Sequence, residues 1–164
     1  MADQWLRWVE SSAFSIWVNE SSSLFAFPGI LAAHTIGLGL LAGLNVALDL
    51  RLLGLARVIP PHAFTRFLPV MWFGLWVNVL TGIALIIAYP TKALTNPVFY
   101  LKLALIAVAL TMLRGILRRM GAPGPAPGSV KVLAVVSLVT WAAAITTGRL
   151  LAYTCTRLTV DLSC

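Results

Sequence analysis

The sequence reads as an all-α integral membrane protein, an up-and-down bundle of four spanning helices preceded by an amphipathic helix in the membrane interface. Three observations lead there. Of the 164 residues, 60% are hydrophobic and only 10% charged, whereas folded soluble domains average about 25% charged. The apolar residues collect in four runs, each long enough to cross a hydrocarbon core of about 30 Å at about 1.5 Å per helical residue. The links between runs are short and punctuated by proline and glycine, so consecutive helices become antiparallel neighbours. The chain is expected to be one membrane domain over residues 1–164, with no internal repeat.

Residues 4–19, "QWLRWVESSAFSIWVN", are amphipathic. Trp5, Leu6, Val9, Ala13, Ile16 and Trp17 share one helical face, with Arg7, Glu10, Ser11 and Ser15 elsewhere. Such a tryptophan-rich helix lies in the interface, where indole rings are at home. Charge interrupts its apolar run and no small-residue cleavage site follows, so it does not read as a signal peptide.

The first span, 24–48, belongs to "FPGILAAHTIGLGLLAGLNVALDLRLLGL" and its approach. The second, 67–89, is "FLPVMWFGLWVNVLTGIALIIAY" and stops at Pro90. The third, 97–113, opens at Asn96-Pro97. The fourth, 130–153, is "VKVLAVVSLVTWAAAITTGRLLAY", and a tail over 154–164 follows. Arg51, Arg57, Arg66, Arg114, Arg118, Arg119 and Lys131 flank the loops on one side, against Arg7, Lys92 and Arg157 on the other. Basic residues gather on the cytoplasmic side, so both termini are expected outside, in the periplasm of a bacterial inner membrane. The formal charge of +7 is thereby spent on helix ends and anionic lipid headgroups, and no basic patch with interleaved aromatics suggests nucleic acid.

That topology puts Cys155 and Cys164 together in the outward tail. Two local thiols in an oxidising compartment favour a disulfide closing a small loop, the other reading being two unpaired thiols.

The runs "ALDLRLLGL", "FLPVMWFGLWVNVLTG", "NPVFYLKLALI" and "WAAAITTGRLLAY" together resemble a family of small four-span bacterial inner-membrane proteins, a domain-of-unknown-function family. Its pattern sets a first-span His ahead of an Asp-Leu-Arg-Leu-Leu-Gly ending, an Asn-Pro and then a Lys at the third span, and a Gly-Arg late in the fourth. The likeness covers about residues 25–153. Where some members carry a second histidine near the inner end of span three, this chain reads "TMLRG". The resemblance implies the four-span fold and implies no activity.

Polar side chains inside a bilayer are costly, about 2.5–3.5 kcal/mol for Arg, Lys or Asp at a helix centre on insertion scales. His34, Lys102 and Arg149 therefore need an explanation. All three fall in the outer half of the expected bundle, where they can converge on a ligand. Lys102 and Arg149 can instead snorkel to the headgroups. His34 is too short for that; it is either interhelical glue, bonded to a hydroxyl such as Thr140 or Thr147, or a ligand donor. A haem b needs two axial ligands in the bundle, and Met71 and Met112 lie at the wrong depth to partner His34. A quinone needs one donor and an aromatic wall, for which Trp72, Trp76 and Trp141 are candidates. Asn45 and Asp49 continue the His34 face as a polar stripe able to pass protons or bind a cation, unless Asp49 is simply solvated or paired beside Arg51 at the interface.

No nucleophile triad, carboxylate dyad, metal-ligand cluster or glycine-rich phosphate loop is visible. The expected function is that of a non-catalytic accessory subunit or anchor of a larger respiratory or photosynthetic membrane complex, with lipids and other membrane subunits as partners. A haem- or quinone-binding module centred on His34 is the alternative, and a small transporter the third. The spacings Gly29-Ala33-Gly37 and Gly39-Gly43 lie on different faces of span one. One suits packing inside the bundle and the other the approach of a second chain.

Overall fold

The computed structural model describes residues 2–55, 58–120 and 128–153. Cys155 and Cys164, and with them the expected disulfide, lie outside the described residues, as do the tail and Arg57. The described chain is helical: α1 (Ala2–Glu10), α2 (Ala13–Glu20), α3 (Phe27–Leu53), a 3-10 helix (Pro61–Phe67), α4 (Leu68–Ala88), α5 (Pro90–Leu94), α6 (Pro97–Met120) and α7 (Gly128–Tyr153). Four of these, α3, α4, α6 and α7, contain segments long and apolar enough to cross a membrane. The protein is a multi-pass membrane protein with a four-helix bundle.

The amphipathic segment is two helices, not the single one expected over 4–19. The backbone breaks at Ser11–Ser12. Ser12 adopts an extended conformation, and its side chain accepts a hydrogen bond from the Ser15 N–H, capping α2. A serine whose side chain binds a free helix donor starts a new helix more readily than it continues an old one. Trp5, Trp8 and Trp17 remain exposed, as an interfacial helix requires, while Leu6, Ser15 and Val18 are buried against the protein. The Ser15 hydroxyl donates to the carbonyl of Ala88 at 2.9 Å, and Asn19 Nδ2 donates to the same oxygen at 3.1 Å. These bonds tie α2 to the last turn of α4, whose carbonyls have no partner within their own helix.

The spans begin close to where hydrophobicity places them, and three, α3, α6 and α7, run longer. The helix of α3 starts at Phe27, with Pro28 in its first turn, and continues to Leu53. Gly54 closes it at φ 111°, the left-handed conformation in which its N–H returns to the carbonyls of Leu50 and Arg51. The α6 helix starts behind Asn96, whose side-chain oxygen accepts from the Val98 N–H at 2.9 Å, with Pro97 at the first helical position. It runs past the expected end at 113 to Met120. Helix-forming Leu and Arg residues continue the pattern beyond the hydrocarbon, and nothing breaks it.

α3 packs along α4, α6 packs along α7, and the two hairpins join through α3 and α7. The tightest approach is between α3 and α4. A Cβ on Gly37 would stand 2.9 Å from the Gly74 carbonyl oxygen, and one on Gly74 would stand 2.8 Å from the Gly37 carbonyl oxygen. Backbone therefore meets backbone at this crossing, the role small residues serve where lipid gives no hydrophobic drive to association. The core of Leu41, Leu48, Met71, Ile116, Ala134 and Trp141 lies below it. α4 and α6 stay apart, so the bundle is cleft on that side.

Candidate functional site

The Gly37–Gly74 crossing determines what His34 meets. One turn before Gly37, His34 faces α4 one to two turns beyond Gly74. Asn78 Nδ2 donates to the His34 carbonyl at 2.9 Å, and Thr81 Oγ1 lies 2.9 Å from His34 Nδ1. On its other side, Lys102 Nζ lies 3.4 Å from His34 Nε2. Three helices thus meet at one imidazole, which is half-buried.

The directions of these bonds follow from the chemistry. An ammonium can only donate, so Nε2 accepts from Lys102, and the remaining ring proton sits on Nδ1. Nδ1–H donates to Thr81 Oγ1, whose own proton goes to the Val77 carbonyl at 2.6 Å. The result is a relay from Lys102 through the ring to the backbone of α4. With one ammonium N–H spent on His34, Lys102 retains donors for a further acceptor.

Glycines make the room. A Cβ on Gly82 would come within 3.4 Å of His34 Cε1, and one on Gly148 within 3.5 Å of Lys102 Cε. Beside the pair opens a cavity of about 350 Å³, bounded by Phe27, Leu31, Leu85, Tyr89, Phe99 and Leu151, with Lys92 at its wall. Phe27 and Tyr89 meet edge to face there, ring centres 5.8 Å apart.

Of the residues singled out in the sequence, the structure brings His34 and Lys102 together and leaves Arg149 out. Arg149 is exposed on the outer face of α7; a step of one residue rotates about a quarter turn around a helix, so Gly148 faces Lys102 and Arg149 does not. The expected tryptophan wall is likewise absent from this cavity. Trp72 lines a separate hollow between α4 and α6, Trp76 is exposed, and Trp141 is 0% exposed in the core. The wall is Phe27, Tyr89 and Phe99 instead. Thr140 and Thr147, the expected hydroxyl partners of His34, bond to carbonyls of their own helix, Val136 and Ala143.

Thr81, Asn78, Gly82 and Gly148 were not among the sequence candidates; depth counting places Thr81 and Gly148 at the right level without showing which way they face. His34 lies seven residues after Phe27 and Thr81 seven before Ala88; Lys102 lies five after Pro97 and Gly148 five before Tyr153. In antiparallel helices, equal counts from one end mean equal depth.

Asn45 and Asp49 are both 0% exposed, which removes the reading of Asp49 as a solvated interfacial carboxylate. The Arg51 side chain is turned to the Ile59 carbonyl. A second hollow, about 380 Å³, lies further along the α4–α6 cleft, lined by Met71, Trp72, Leu75, Leu110, Thr111 and Arg114 among others. Among the described residues, no group of three His, Cys, Asp or Glu side chains is placed to hold a metal ion.

No family model, curated protein or solved structure matches the chain.

Proposed function

We propose that the protein is a non-catalytic, bacterial inner-membrane protein that holds a lipid-soluble acceptor of the quinone class at the His34–Lys102 pair. The carrying observation is the pair itself, a lysine donor fixed by a histidine relay at the wall of a cavity of about 350 Å³. That volume falls within the range of about 300–1,000 Å³ usual for small-molecule sites. The lining suits a flat ring, apolar and aromatic with few polar groups. Lys102 donates to a carbonyl oxygen of the ring, while the tail leaves through the cleft between α4 and α6 toward the second hollow. A haem is less well served: His34 Nε2 is committed to Lys102, and the cavity lining contains neither a second histidine nor a methionine.

Equilibrium binding of a short-chain benzoquinone to the purified protein in detergent tests this. The expected result is saturable binding weakened about tenfold or more by Lys102→Met, the worth of a hydrogen bond from a charged donor. Equal binding by wild type and variant, or a dithionite-reducible Soret band in the purified protein, overturns it.

The reading as an accessory subunit has its own support. Gly39 and Gly43 have nothing within 4 Å of the position a Cβ would occupy. That face of α3 is therefore shaped for the close approach of another helix. The basic residues beside the 3-10 helix and at the α6–α7 ends favour a periplasmic location for both termini. Alkaline phosphatase fused at Lys92 should then be active, and at Gly124 silent.

A further inference from the structure

The core of the bundle holds a second polar cluster, independent of the quinone-class reading. Asn45 and Asp49 stand one turn apart on α3, and Ser137 and Trp141 one turn apart on α7. All four are 0% exposed. Both carboxylate oxygens of Asp49, Asn45 Oδ1 and Trp141 Nε1 lack any hydrogen-bond partner. The one bond across the cluster, Asn45 Nδ2 to Ser137 Oγ, is long at 3.5 Å. Buried polar atoms in folded proteins are nearly always paired, and a carboxylate shut away from water demands a counter-charge. Here four unmet polar atoms share one interface between two helices.

We propose that Asn45, Asp49 and Ser137 form a binding site for a monovalent metal cation, sodium in particular. The ligand type decides the class. The donors are all hard oxygens, a carboxylate, an amide carbonyl and a hydroxyl, with no thiolate or imidazole to favour a softer metal. The charge decides the valence. Asp49 is the single charged group of the cluster, and Arg51, two residues on and rotated by more than half a turn, is directed to the Ile59 carbonyl. Lys131, near the start of α7, is exposed at the bundle end. One cation of charge +1 neutralises one carboxylate, whereas a divalent ion would leave an unbalanced charge in a low-dielectric core. Water completes the coordination shell, and a water oxygen accepts from Trp141 Nε1, which a metal ion cannot do. Buried waters take such positions between groups that lack protein partners.

Binding of radioactive sodium to the purified full-length protein is the direct test, paired with thermal melting in sodium, potassium and choline chloride. Saturable binding of about one sodium per chain is expected, with melting about 3 °C or more higher in sodium than in choline. Asp49→Asn, which keeps the shape and removes the charge, should abolish both effects. His34→Leu should keep both, which separates this site from the quinone-class one. If Asp49→Asn does not fold, the wild-type measurements still decide. Absence of sodium binding, with melting that is equal in the three salts and responds only to pH, would mean that Asp49 is neutralised by a proton, and overturns the proposal.

Discussion

The two polar sites on α3 lie on one helix and differ in how they are held. His34, near the start of the helix, is half-buried and has every polar atom answered: Thr81, Asn78 and Lys102 come from two other helices, and glycines leave space beside it. Asn45 and Asp49, three turns and more further on, are fully buried and largely unanswered. The difference lies in the neighbours. At His34 the bundle is held at close range by a backbone crossing and then opens between α4 and α6. At Asp49 it is closed by Trp141, Leu48 and Ile116. A bilayer offers no water to complete a site, so the two proposals differ in kind: the answered group beside a cavity suits a bulky ligand, and the unanswered groups in a closed core suit a small ion.

The crossing that separates the two sites can be broken directly. Gly74→Val puts side-chain atoms where a Cβ already stands 2.8 Å from the Gly37 carbonyl oxygen, and neither backbone can yield without parting α3 from α4. A loss of about 3 kcal/mol is expected, the top of the overpacking range, together with loss of the Asn78 and Thr81 bonds to His34. Gly43→Val, on the open face of the same helix, should leave the melting temperature of the isolated protein unchanged. Equal destabilisation by both, in thermal melts in detergent, would mean that the Gly39–Gly43 face is also occupied.

Much of this was legible in the sequence, and the remainder divides along one physical line. Hydrophobic runs give the spans because hydrocarbon imposes length, and the Asn96-Pro97 start is local capping chemistry. Depth is also readable, since residues count off at a constant rise. Rotation about the helix axis is not. Whether Arg149 or Gly148 faces Lys102, and whether Asp49 meets water or the closed core, depends on the azimuth that the Gly37–Gly74 contact imposes. The spacing Gly29-Ala33-Gly37 hinted at that contact without saying which glycine of α4 would meet it. The break at Ser12 was hidden for another reason. The apolar face continues across it, and periodicity does not register a cap.

The relay at His34 predicts an asymmetry smaller than the crossing effect. Thr81→Val leaves a ring N–H without its acceptor, and an orphaned donor costs about 1–3 kcal/mol. His34→Leu removes the donor along with the need for it, and Lys102, which loses the Nε2 acceptor, can extend its ammonium toward the headgroups instead. Thr81 keeps its bond to the Val77 carbonyl, so about 0.6–1.7 kcal/mol is expected. Thr81→Val should therefore be at least as damaging as His34→Leu in denaturation measurements. The reverse order would show that water from the cavity already serves His34.

The smallest effect is expected where the interfacial helices meet the bundle. The Ala88 carbonyl accepts from both Ser15 and Asn19, at 2.9 and 3.1 Å. Ser15→Ala should cost about 0.5 kcal/mol, the low end for a hydrogen bond, because Asn19 still serves the carbonyl. Ser15→Ala with Asn19→Ala leaves that oxygen without either donor, and the two substitutions together should cost more than the sum of their separate effects. The loss is expected to be local. α1 and α2 hold few buried apolar side chains, Leu6 and Val18 among them, so they can open while the four spans stay packed. Amide exchange in lipid nanodiscs reads this directly, with protection lost over residues 2–20 of the double variant and retained in α3 and α7. If the global melting temperature falls as far as with Thr81→Val, the interfacial helices belong to the cooperative core, and the His34 end of the molecule is held by five helices instead of three.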